Sequence, residues 1–392
     1  MDQIKWAKRQ NIWLKEWYCE KYKKKAKCKH FEECNSCALL CLDYKRQIEL
    51  KRKMLENLFN RKIELKKSKL LYHYRNKAEF SFIDNKLGFR KKLNPYKSFS
   101  IKECFLVPKE FTNIARFLQK EFERLSFQSY DVLSRKGFLA YVVMRYSFYT
   151  KELMVNLVTY KKQYEKKMEE LAKKLIRKFK VKSINWILNE SYRDEARGRL
   201  IKSWNNFYIT EKLLKNKYMI TAQAFFQINP KTAEILFKDL QKFLKEKENV
   251  VDLYCGIGAI SLIAAKTAAK VVGIDIEKEN IETAKKNAKL NKTENVEFLE
   301  GDSYKIFRNL EGEFNIIIVD PPRAGLSKKL VKRINNFGVE KVIYVSCNPY
   351  TLKENLEWFS PEYKIKFLKA YDFYPHTPHI ECLAVIERCG KH

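Results

Sequence analysis

A cysteine, an aspartate and a glutamate occupy positions at which a parallel sheet would present them for chemistry. Cys347 follows the apolar run VIYVS and precedes Asn348 and Pro349, so it falls at the carboxyl end of a predicted central strand. Asp320 follows the apolar run IIIV in the same way, and Glu381 precedes the closing run CLAVI. Ligands of open α/β sheets bind at the carboxyl ends of the strands. We therefore expect these three side chains to share one edge of a sheet.

A cysteine at this edge would allow methyl transfer to a carbon atom that has no lone pair. Addition of the Cys347 thiolate to C6 of a pyrimidine makes C5 an enolate carbon that can attack a sulfonium methyl group. A base must then remove the C5 proton so that the thiolate can leave, and Glu381 is the candidate. Asp320, followed by two prolines that hold its loop, is a candidate ligand for the target base. Arg323 is a candidate to hold a phosphate or the loop itself.

Each of these residues also has a structural interpretation. Free cysteines often serve as small apolar fillers, so Cys347 could be inert. Glu381 could be a solvated strand end, and His376 and His379 could be loop residues with local partners. The convergence of several such residues on one predicted edge favours catalysis. The roles of the two histidines stay open.

A glycine loop in DLYCGIGAI suggests a nucleoside-binding site. Gly256 and Gly258 directly follow a predicted strand and open a helix. Asp275 ends the next strand, where a carboxylate binds ribose hydroxyls, and Asp302 ends the third strand, where it would face an adenine. Ser261 lies where a dinucleotide fingerprint has its third glycine, so there is less provision for a pyrophosphate. The pattern therefore suits S-adenosylmethionine better than NAD.

Composition points to a nucleic-acid partner. The 392 residues carry 79 Lys and Arg against 47 Asp and Glu, a net charge of +32. An excess of this size, spread along the chain, favours binding to phosphate backbones. No secretory signal or stretch of bilayer length is recognisable, so we expect a cytoplasmic protein without membrane contact. Nothing in the sequence demands more than a monomer.

Three parts of the chain differ in composition and hydrophobic pattern, and together they predict an α/β protein with additional segments. Residues 1–45 are rich in cysteine and basic residues. Residues 46–235 combine a basic helix with segments of strand character, and they predict an α+β RNA-binding domain. Residues 236–392 alternate strands with helices, which predicts a Rossmann-like, doubly wound methyltransferase domain. The last two predicted strands are joined by a short turn and should pair antiparallel at one edge of this sheet.

The cysteine-rich start contains a candidate metal site. Cys28, Cys34 and Cys37 are spaced so that three thiolates can converge from one short loop. A tetrahedral zinc or a cubane iron–sulfur cluster needs a fourth ligand. The local candidates are Cys19 and Cys41, and either would favour zinc.

Taken together, these residues resemble the uridine-C5 RNA methyltransferases, which make 5-methyluridine in ribosomal and transfer RNA. The resemblance rests on segments in the family's order across nearly the whole chain: YRNKAEF, AFFQINP, DLYCGIGAI, DPPRAGL, YVSCNP and FYPHTPHIE. It implies Cys347 as the nucleophile, Glu381 as the base and Asp320 as an acid that contacts the target base. It also implies a cofactor site near the following residues: Gln227, Tyr254, Asp275 and Asp302.

The resemblance further implies a [4Fe-4S] cluster held by Cys28, Cys34, Cys37 and a distant fourth ligand, Cys104. The cluster would pin the amino terminus to the central domain. Two departures from the family stand out. Ala259 replaces a polar residue that many members place near the methionine part of the cofactor, and there is no room before Cys19 for the small RNA-binding barrel that some members carry.

The substrate and two rival functions remain open at this level. The missing barrel favours large-subunit (23S) ribosomal RNA over a T-loop uridine of transfer RNA, and in either case we expect a loop uridine flipped out of its stack. Arg75 and Lys77 are candidates to track RNA phosphates. An RNA N-methyltransferase would use Asp320 and leave Cys347 idle. A non-catalytic RNA-binding redox sensor would not bind S-adenosylmethionine. A cytosine-C5 enzyme would place a second cysteine after the acid loop, where Arg323 and Ala324 stand.

Overall fold

A computed structural model describes residues 26–34, 36–191 and 193–389. The candidate ligand Cys19 lies outside the described residues. The helices in the described part of the chain are α1 (Tyr44–Phe59), α2 (Lys109–Arg124), α3 (Glu165–Phe179), α4 (Pro230–Gln241), α5 (Ala259–Ala264), α6 (Lys278–Leu290), α7 (Ser303–Arg308), α8 (Lys328–Phe337) and α9 (Pro349–Glu357). The strands there are β1 (Glu64–Lys66), β2 (Lys77–Ile83), β3 (Lys86–Arg90), β4 (Ser98–Ser100), β5 (Leu139–Tyr146), β6 (Leu153–Thr159), β7 (Ser183–Leu188), β8 (Arg199–Trp204), β9 (Tyr208–Leu213), β10 (Asn216–Thr221), β11 (Asn249–Leu253), β12 (Lys270–Asp275), β13 (Val296–Glu300), β14 (Ile316–Val319), β15 (Lys341–Ser346), β16 (Tyr363–Tyr371) and β17 (Glu381–Arg388).

The chain divides into two compact units. The first comprises the described residues up to 42 together with 70–211 and 220–223. Its sheet has the order β4-β3-β2-β5-β6-β7-β8. Neighbouring strands are antiparallel except β6 and β7, which are parallel and are connected through α3. Both α2 and α3 are amphipathic, and their apolar residues, such as Phe111 and Leu171, share one core with the sheet. This unit is the α+β arrangement that the sequence predicts for the central region.

The second unit comprises residues 43–69, 212–219 and 224 onward. Its sheet has the order β1-β16-β17-β15-β14-β11-β12-β13. Strands β15, β14, β11, β12 and β13 are parallel neighbours. Helices α5 to α9 alternate with the strands from β11 to β16 along the chain. This is the predicted doubly wound α/β arrangement, and it brings the carboxyl ends of β11, β14 and β15 to one edge.

Residues 43–69 belong to the second unit, although the sequence predicts one central domain over residues 46–235. Their placement follows from burial. Leu55 and Phe59 of α1, together with Ile63, pack in the same core as Val319 and Tyr344 of the parallel sheet. The basic composition of α1 is compatible with the predicted RNA-binding domain, but its buried stripe decides where it packs.

The last two strands pair antiparallel, as expected, but they do not form the edge of the sheet. β17 lies between β15 and β16, antiparallel to both. β1 adds to the outer side of β16 in parallel, with Leu65 opposite Ala370. The short β1 was not recognised in the sequence because three residues carry little pattern. Within the described residues, no helix is long and apolar enough to span a membrane.

Candidate active site

The glycine loop between β11 and α5 has the backbone that its sequence predicts. Tyr254, Gly256 and Gly258 all have positive φ values, of 67°, 54° and 80°. A Cβ atom on Gly258 would lie 2.8 Å from the ring of Phe298, so this position requires glycine for space as well as for conformation. A Cβ atom on Gly256 would meet no atom within 4 Å. The loop is therefore tightly packed below Gly258 and open beside Gly256, where a ligand can approach.

Asp275 ties this loop to the end of β12. One carboxylate oxygen accepts a hydrogen bond from the Gly256 amide at 2.9 Å. The other accepts from the Glu277 amide at 2.9 Å and from the Asn280 side chain at 3.1 Å. The carboxylate is buried and held at the sheet edge, in the position expected for a ribose ligand.

A cavity beside the loop gathers most of the predicted cofactor residues. Its lining includes Gln227, Tyr254, Gly256 and Asp320, and Ala259 contributes only a methyl side chain. The other lining residues are Phe225, Phe226, Phe237, Cys255, Ile257 and Ile260. The cavity combines an apolar wall with a few convergent polar groups, which is the usual character of a small-molecule site. These residues fit a nucleoside-bearing sulfonium compound such as S-adenosylmethionine.

Three predicted cofactor residues, Gly258, Asp275 and Asp302, are not among the residues that line this cavity. Asp302 differs from the other two in its exposure. It is exposed and caps α7 by accepting a hydrogen bond from the Lys305 amide at 2.9 Å. Burial raises the pKa of Tyr254, which lines the cavity, and the charge of Asp302 adds to this rise.

One buried acid near this cavity escaped the sequence analysis. Asp252 lies within β11, is fully buried, and accepts a hydrogen bond from the Ser261 hydroxyl. Ser261 therefore has a definite partner at the position where a dinucleotide site has glycine. Burial raises the pKa of Asp252 to about 7. An acid inside the apolar strand NVVDL was the available signal, because such an acid needs a partner.

The predicted catalytic residues meet at the carboxyl edge of the sheet. Cys347 and Asp320 directly follow the parallel strands β15 and β14, and Glu381 begins the antiparallel β17, whose Cys382 is opposite Ser346. Burial raises the pKa of the Cys347 thiol to about 12, with further increases from Glu381 and then Asp320. Arg323 opposes this shift through its charge and a hydrogen bond to the thiol. The thiol, both carboxyls and the guanidinium thus form one cluster.

Both carboxyls of this cluster are easily protonated. Burial raises the pKa of Asp320 to about 7, and the neighbouring Asp252 adds to the effect. Burial and then Asp320 hold the pKa of Glu381 well above its usual range, against the opposing influence of Arg323 and a hydrogen bond from Tyr374. Two close acids in a buried site titrate as a pair. Such a pair can hold and release a proton near neutral pH.

Arg323 links the acid loop to the cysteine strand and to the histidine-containing loop. Its guanidinium is 2.8 Å from Nδ1 of His379. Its carbonyl accepts hydrogen bonds from the Asn348 amide group at 3.1 Å and from the Thr351 hydroxyl at 3.3 Å. His379, whose role the sequence left open, therefore orients the cation that faces Cys347.

Asp320 connects the two halves of the site. It lines the cofactor cavity, where it accepts a hydrogen bond from the Gln227 side chain at 3.3 Å, and it also belongs to the thiol cluster. A methyl donor in the cavity would thus lie next to the nucleophile. The arrangement is suited to methyl transfer assisted by covalent addition of a thiol.

The carboxyl pair predicts a rate that rises with pH. A carboxyl accepts a proton only when ionised, and the raised pKa of Asp320 moves the loss of that form from the acidic range up to about 7. We expect single-turnover methylation to slow as pH falls from about 8 to about 6 and to level off at higher pH. A rate that keeps rising instead would indicate titration of the Cys347 thiol, with its pKa of about 12. A flat profile would contradict both.

Four predicted metal ligands line a second cavity, in the first unit. Cys28, Cys34, Cys37 and Cys104 share it with mainly apolar neighbours. Burial raises the pKa of Cys37, followed by the charges of Cys104, Cys34 and Cys28, so the four sulfurs are mutual neighbours. No group of three or more His, Cys, Asp or Glu side chains within residues 26–34, 36–191 and 193–389 has the arrangement needed to hold a metal ion.

The two cations predicted to track RNA phosphates lie in the first unit. The Lys77 ammonium is 2.6 Å from the Glu79 carboxylate, and burial lowers its pKa. Arg75 is half-buried, and its charge opposes the rise in pKa that burial causes at Cys37 and Cys104 in the cysteine cavity. Both cations therefore also interact with ionisable side chains of the protein itself.

Comparison with known proteins identifies the relatives of this chain. A sequence profile described as tRNA (uracil-5-)-methyltransferase matches residues 42–389. The chain is 37% identical over 363 residues to a tRNA (uracil(54)-C(5))-methyltransferase of Pyrococcus furiosus, with 93% of this chain and 85% of the relative covered. It is 34% identical to an uncharacterized RNA methyltransferase of Clostridium tetani, over 94% of this chain and 85% of that one.

A solved structure extends the comparison to the fold. The tRNA (uracil-54, C5)-methyltransferase of Pyrococcus abyssi, crystallised with S-adenosyl-L-homocysteine, superimposes with a TM-score of 0.79 at 31% identity. The match covers 89% of this chain and 85% of that one.

Proposed function

Because this chain belongs to the tRNA (uracil-5-)-methyltransferase family, we propose that it transfers a methyl group from S-adenosylmethionine to C5 of a uridine in tRNA. The observation that carries the proposal is the meeting of Cys347, Asp320 and Glu381 at the edge of the cofactor cavity. A nitrogen acceptor would need no thiol, and no contact of Cys347 favours an N-methyltransferase. The family is one of enzymes, which also argues against a non-catalytic redox sensor.

In the proposed reaction Cys347 first attacks the uracil ring. Its thiol has a high pKa, so the proton leaves to an ionised carboxyl of the Asp320–Glu381 pair as Sγ bonds to C6. The electron pair of the C5–C6 double bond moves toward O4. Arg323 stabilises the thiolate as it forms, because its guanidinium opposes the rise in thiol pKa.

Two further steps complete the turnover. S-adenosylmethionine, when held by Asp275 and the cavity residues, supplies an electrophilic methyl group that C5 attacks. Glu381 then accepts the C5 proton, the C5–C6 double bond re-forms, and the bond from C6 to Sγ breaks. The departing sulfur takes back a proton from the carboxyl pair, and one proton is released to solvent.

The choice of RNA follows the names of the relatives. The sequence alone predicts 23S ribosomal RNA, but the relatives from Pyrococcus furiosus and Pyrococcus horikoshii are named for uracil 54 of tRNA. We therefore propose the uridine at position 54, in the T-loop, as the target. A loop base costs less to flip out of its stack than a paired one. The net charge of +32 supports the binding of the surrounding phosphates.

Nucleoside analysis tests this function directly. The purified protein is incubated with S-adenosylmethionine and either unmodified tRNA or 23S ribosomal RNA, and digested RNA is analysed by mass spectrometry. We expect 5-methyluridine in tRNA, and none when uridine 54 is replaced by cytidine. Product in ribosomal RNA alone would refute tRNA as the substrate and favour 23S ribosomal RNA. A methylated adenine or guanine would refute C5 chemistry.

We further propose that Cys28, Cys34, Cys37 and Cys104 hold a [4Fe-4S] cluster. The proposal is supported by their shared cavity, with its apolar walls, and by the mutual electrostatic effects of the sulfurs. In a cubane cluster each thiolate binds a different iron, so the four sulfurs need not approach as closely as the ligands of one zinc ion. Arg75 would offset part of the thiolate charge.

Metal analysis tests the cluster. We expect anaerobically purified protein to contain about four irons per chain and to lose them in the Cys104→Ser variant, since Cys104 supplies the distant ligand. Cys389→Ser is the matched control, because Cys389 is an exposed free cysteine elsewhere in the chain. Stoichiometric zinc without iron in both aerobic and anaerobic preparations would overturn the cluster in favour of a zinc site.

A further inference from the structure

Helix α1 buries two polar side chains that need an explanation. Its buried residues are Gln47, Lys51, Leu55 and Phe59, which recur every four residues along one stripe. Leu55 and Phe59 pack in the apolar core of the second unit. Gln47 is fully buried and Lys51 is 3% exposed. A buried ammonium group is costly, so an apolar residue would be the expected continuation of this stripe.

Lys51 is bonded entirely to the loop that connects β16 to β17. Its ammonium group donates to the Asp372 carboxylate at 2.6 Å, to the Tyr374 carbonyl at 3.1 Å and to the His379 carbonyl at 3.0 Å. One side chain thus joins the start, the middle and the end of this loop. Burial lowers the pKa of Lys51, and the Asp372 carboxylate opposes that effect.

Gln47 fastens the same loop at its centre. Its side-chain oxygen accepts a hydrogen bond from the His376 amide at 2.8 Å, and its nitrogen is 3.1 Å from Nδ1 of the same residue. His376 has a φ of 68°, a conformation that is costly for a residue other than glycine. The two bonds from Gln47 hold this residue in that conformation.

The loop in turn positions the groups that face the uracil. Tyr374 donates a hydrogen bond to Glu381. His379 contacts Arg323, and the Arg323 guanidinium in turn donates a hydrogen bond to the Cys347 sulfur. A buried ion pair contributes little net stability compared with apolar packing, so stability alone does not account for Lys51. We propose that Lys51 and Gln47 are positioning residues that fix the shape of the 372–379 loop and thereby place Glu381 for removal of the C5 proton.

This inference rests on the proposed function and is tested in the same methylation assay. The test variant combines Lys51→Met with Asp372→Asn, which removes both buried charges and so avoids leaving one unpaired. Lys53→Met is the matched control, because Lys53 is on the same helix with an exposed side chain that pairs with Glu49. Melting temperature, affinity for S-adenosylhomocysteine, kcat and KM for tRNA are measured for each.

We expect the double variant to keep the affinity and KM of the parent protein but to lose about 10²-fold in kcat, the scale of a small misplacement of a catalytic group. It should also accumulate enzyme covalently bound to methylated RNA, visible as a band of low mobility on a denaturing gel. That species forms only if addition and methyl transfer proceed while proton removal is slowed. The Lys53→Met control should show neither effect.

A double variant with the parent kcat and no covalent band overturns the proposal. The Gln47→Leu variant keeps the test valid if the double variant does not fold, because leucine continues the apolar stripe of α1. It should show the same covalent band, and parent-like turnover would again refute the positioning role. If the parent protein makes no 5-methyluridine, the proposed function fails instead, so the two failures are distinguishable.

Discussion

A Cys347→Ala variant will bind S-adenosylmethionine as the parent protein does but will form no 5-methyluridine, with a loss of roughly 10⁴-fold or more in kcat. The reason is chemical, since C5 of uracil has no lone pair and becomes nucleophilic only after a group has added to C6. The carboxyls and Arg323 cannot replace the bond that Sγ makes. Single-turnover transfer of labelled methyl groups to tRNA measures the effect, and calorimetry measures binding of the cofactor.

The neighbouring Cys382 provides the control for this variant. It is a free, buried cysteine in β17 that lies beside the same cluster, since burial, Glu381 and Cys347 raise its pKa in that order. Cys382→Ala should retain turnover within about tenfold of the parent, because its sulfur forms no bond to the substrate. Equal losses in the two variants would mean that either change simply disturbs packing, and residual 5-methyluridine in Cys347→Ala would refute covalent catalysis.

A Glu381→Gln variant will complete methyl transfer but will not remove the C5 proton. The amide cannot accept the C5 proton, so methylated uracil remains bonded to Sγ of Cys347, and kcat falls by about 10²- to 10⁴-fold. Glutamine keeps the size of the side chain and its ability to accept a hydrogen bond from Tyr374. A denaturing gel should show a covalent complex of enzyme and RNA that carries the transferred methyl label.

Glu387→Gln serves as the control, because Glu387 lies in the same strand but outside the cluster and is only partly buried. It should turn over normally and leave no complex. Unmethylated complex in Glu381→Gln would place this residue before methyl transfer. Turnover without any complex would assign proton removal to the other acid, Asp320.

Most of the site was predictable because its residues follow strands. An apolar run that ends in a polar residue locates that residue at the sheet edge, and this rule placed Cys347, Asp320 and Asp275 correctly at strand ends. The glycine loop was predictable for a similar reason, since its positive φ values favour glycine at two of its positions. The alternation of strands and helices indicated the parallel sheet.

What escaped prediction depends on contacts between distant segments. In the sequence, Gln47 and Lys51 of α1 resemble residues of a solvated helix face, because no local pattern shows that Asp372 lies against Lys51. β17 was expected at the rim, but β16 pairs with its outer side, and no local pattern reveals which side of β15 and β17 the closing strands take. Asp302 shows the opposite error, in which a residue that follows a strand is exposed and caps the next helix.

The discontinuous second unit has a consequence for how the chain acquires its structure. Lys51 and Asp372 are 321 residues apart in sequence, so α1 is synthesised long before its partner exists. Contacts of such separation close large loops and form late in folding. During synthesis the apolar residues of α1 stay uncovered while residues 70–211, which form most of the first unit, are made and fold. The protein becomes able to position its catalytic base only after nearly the whole chain has left the ribosome.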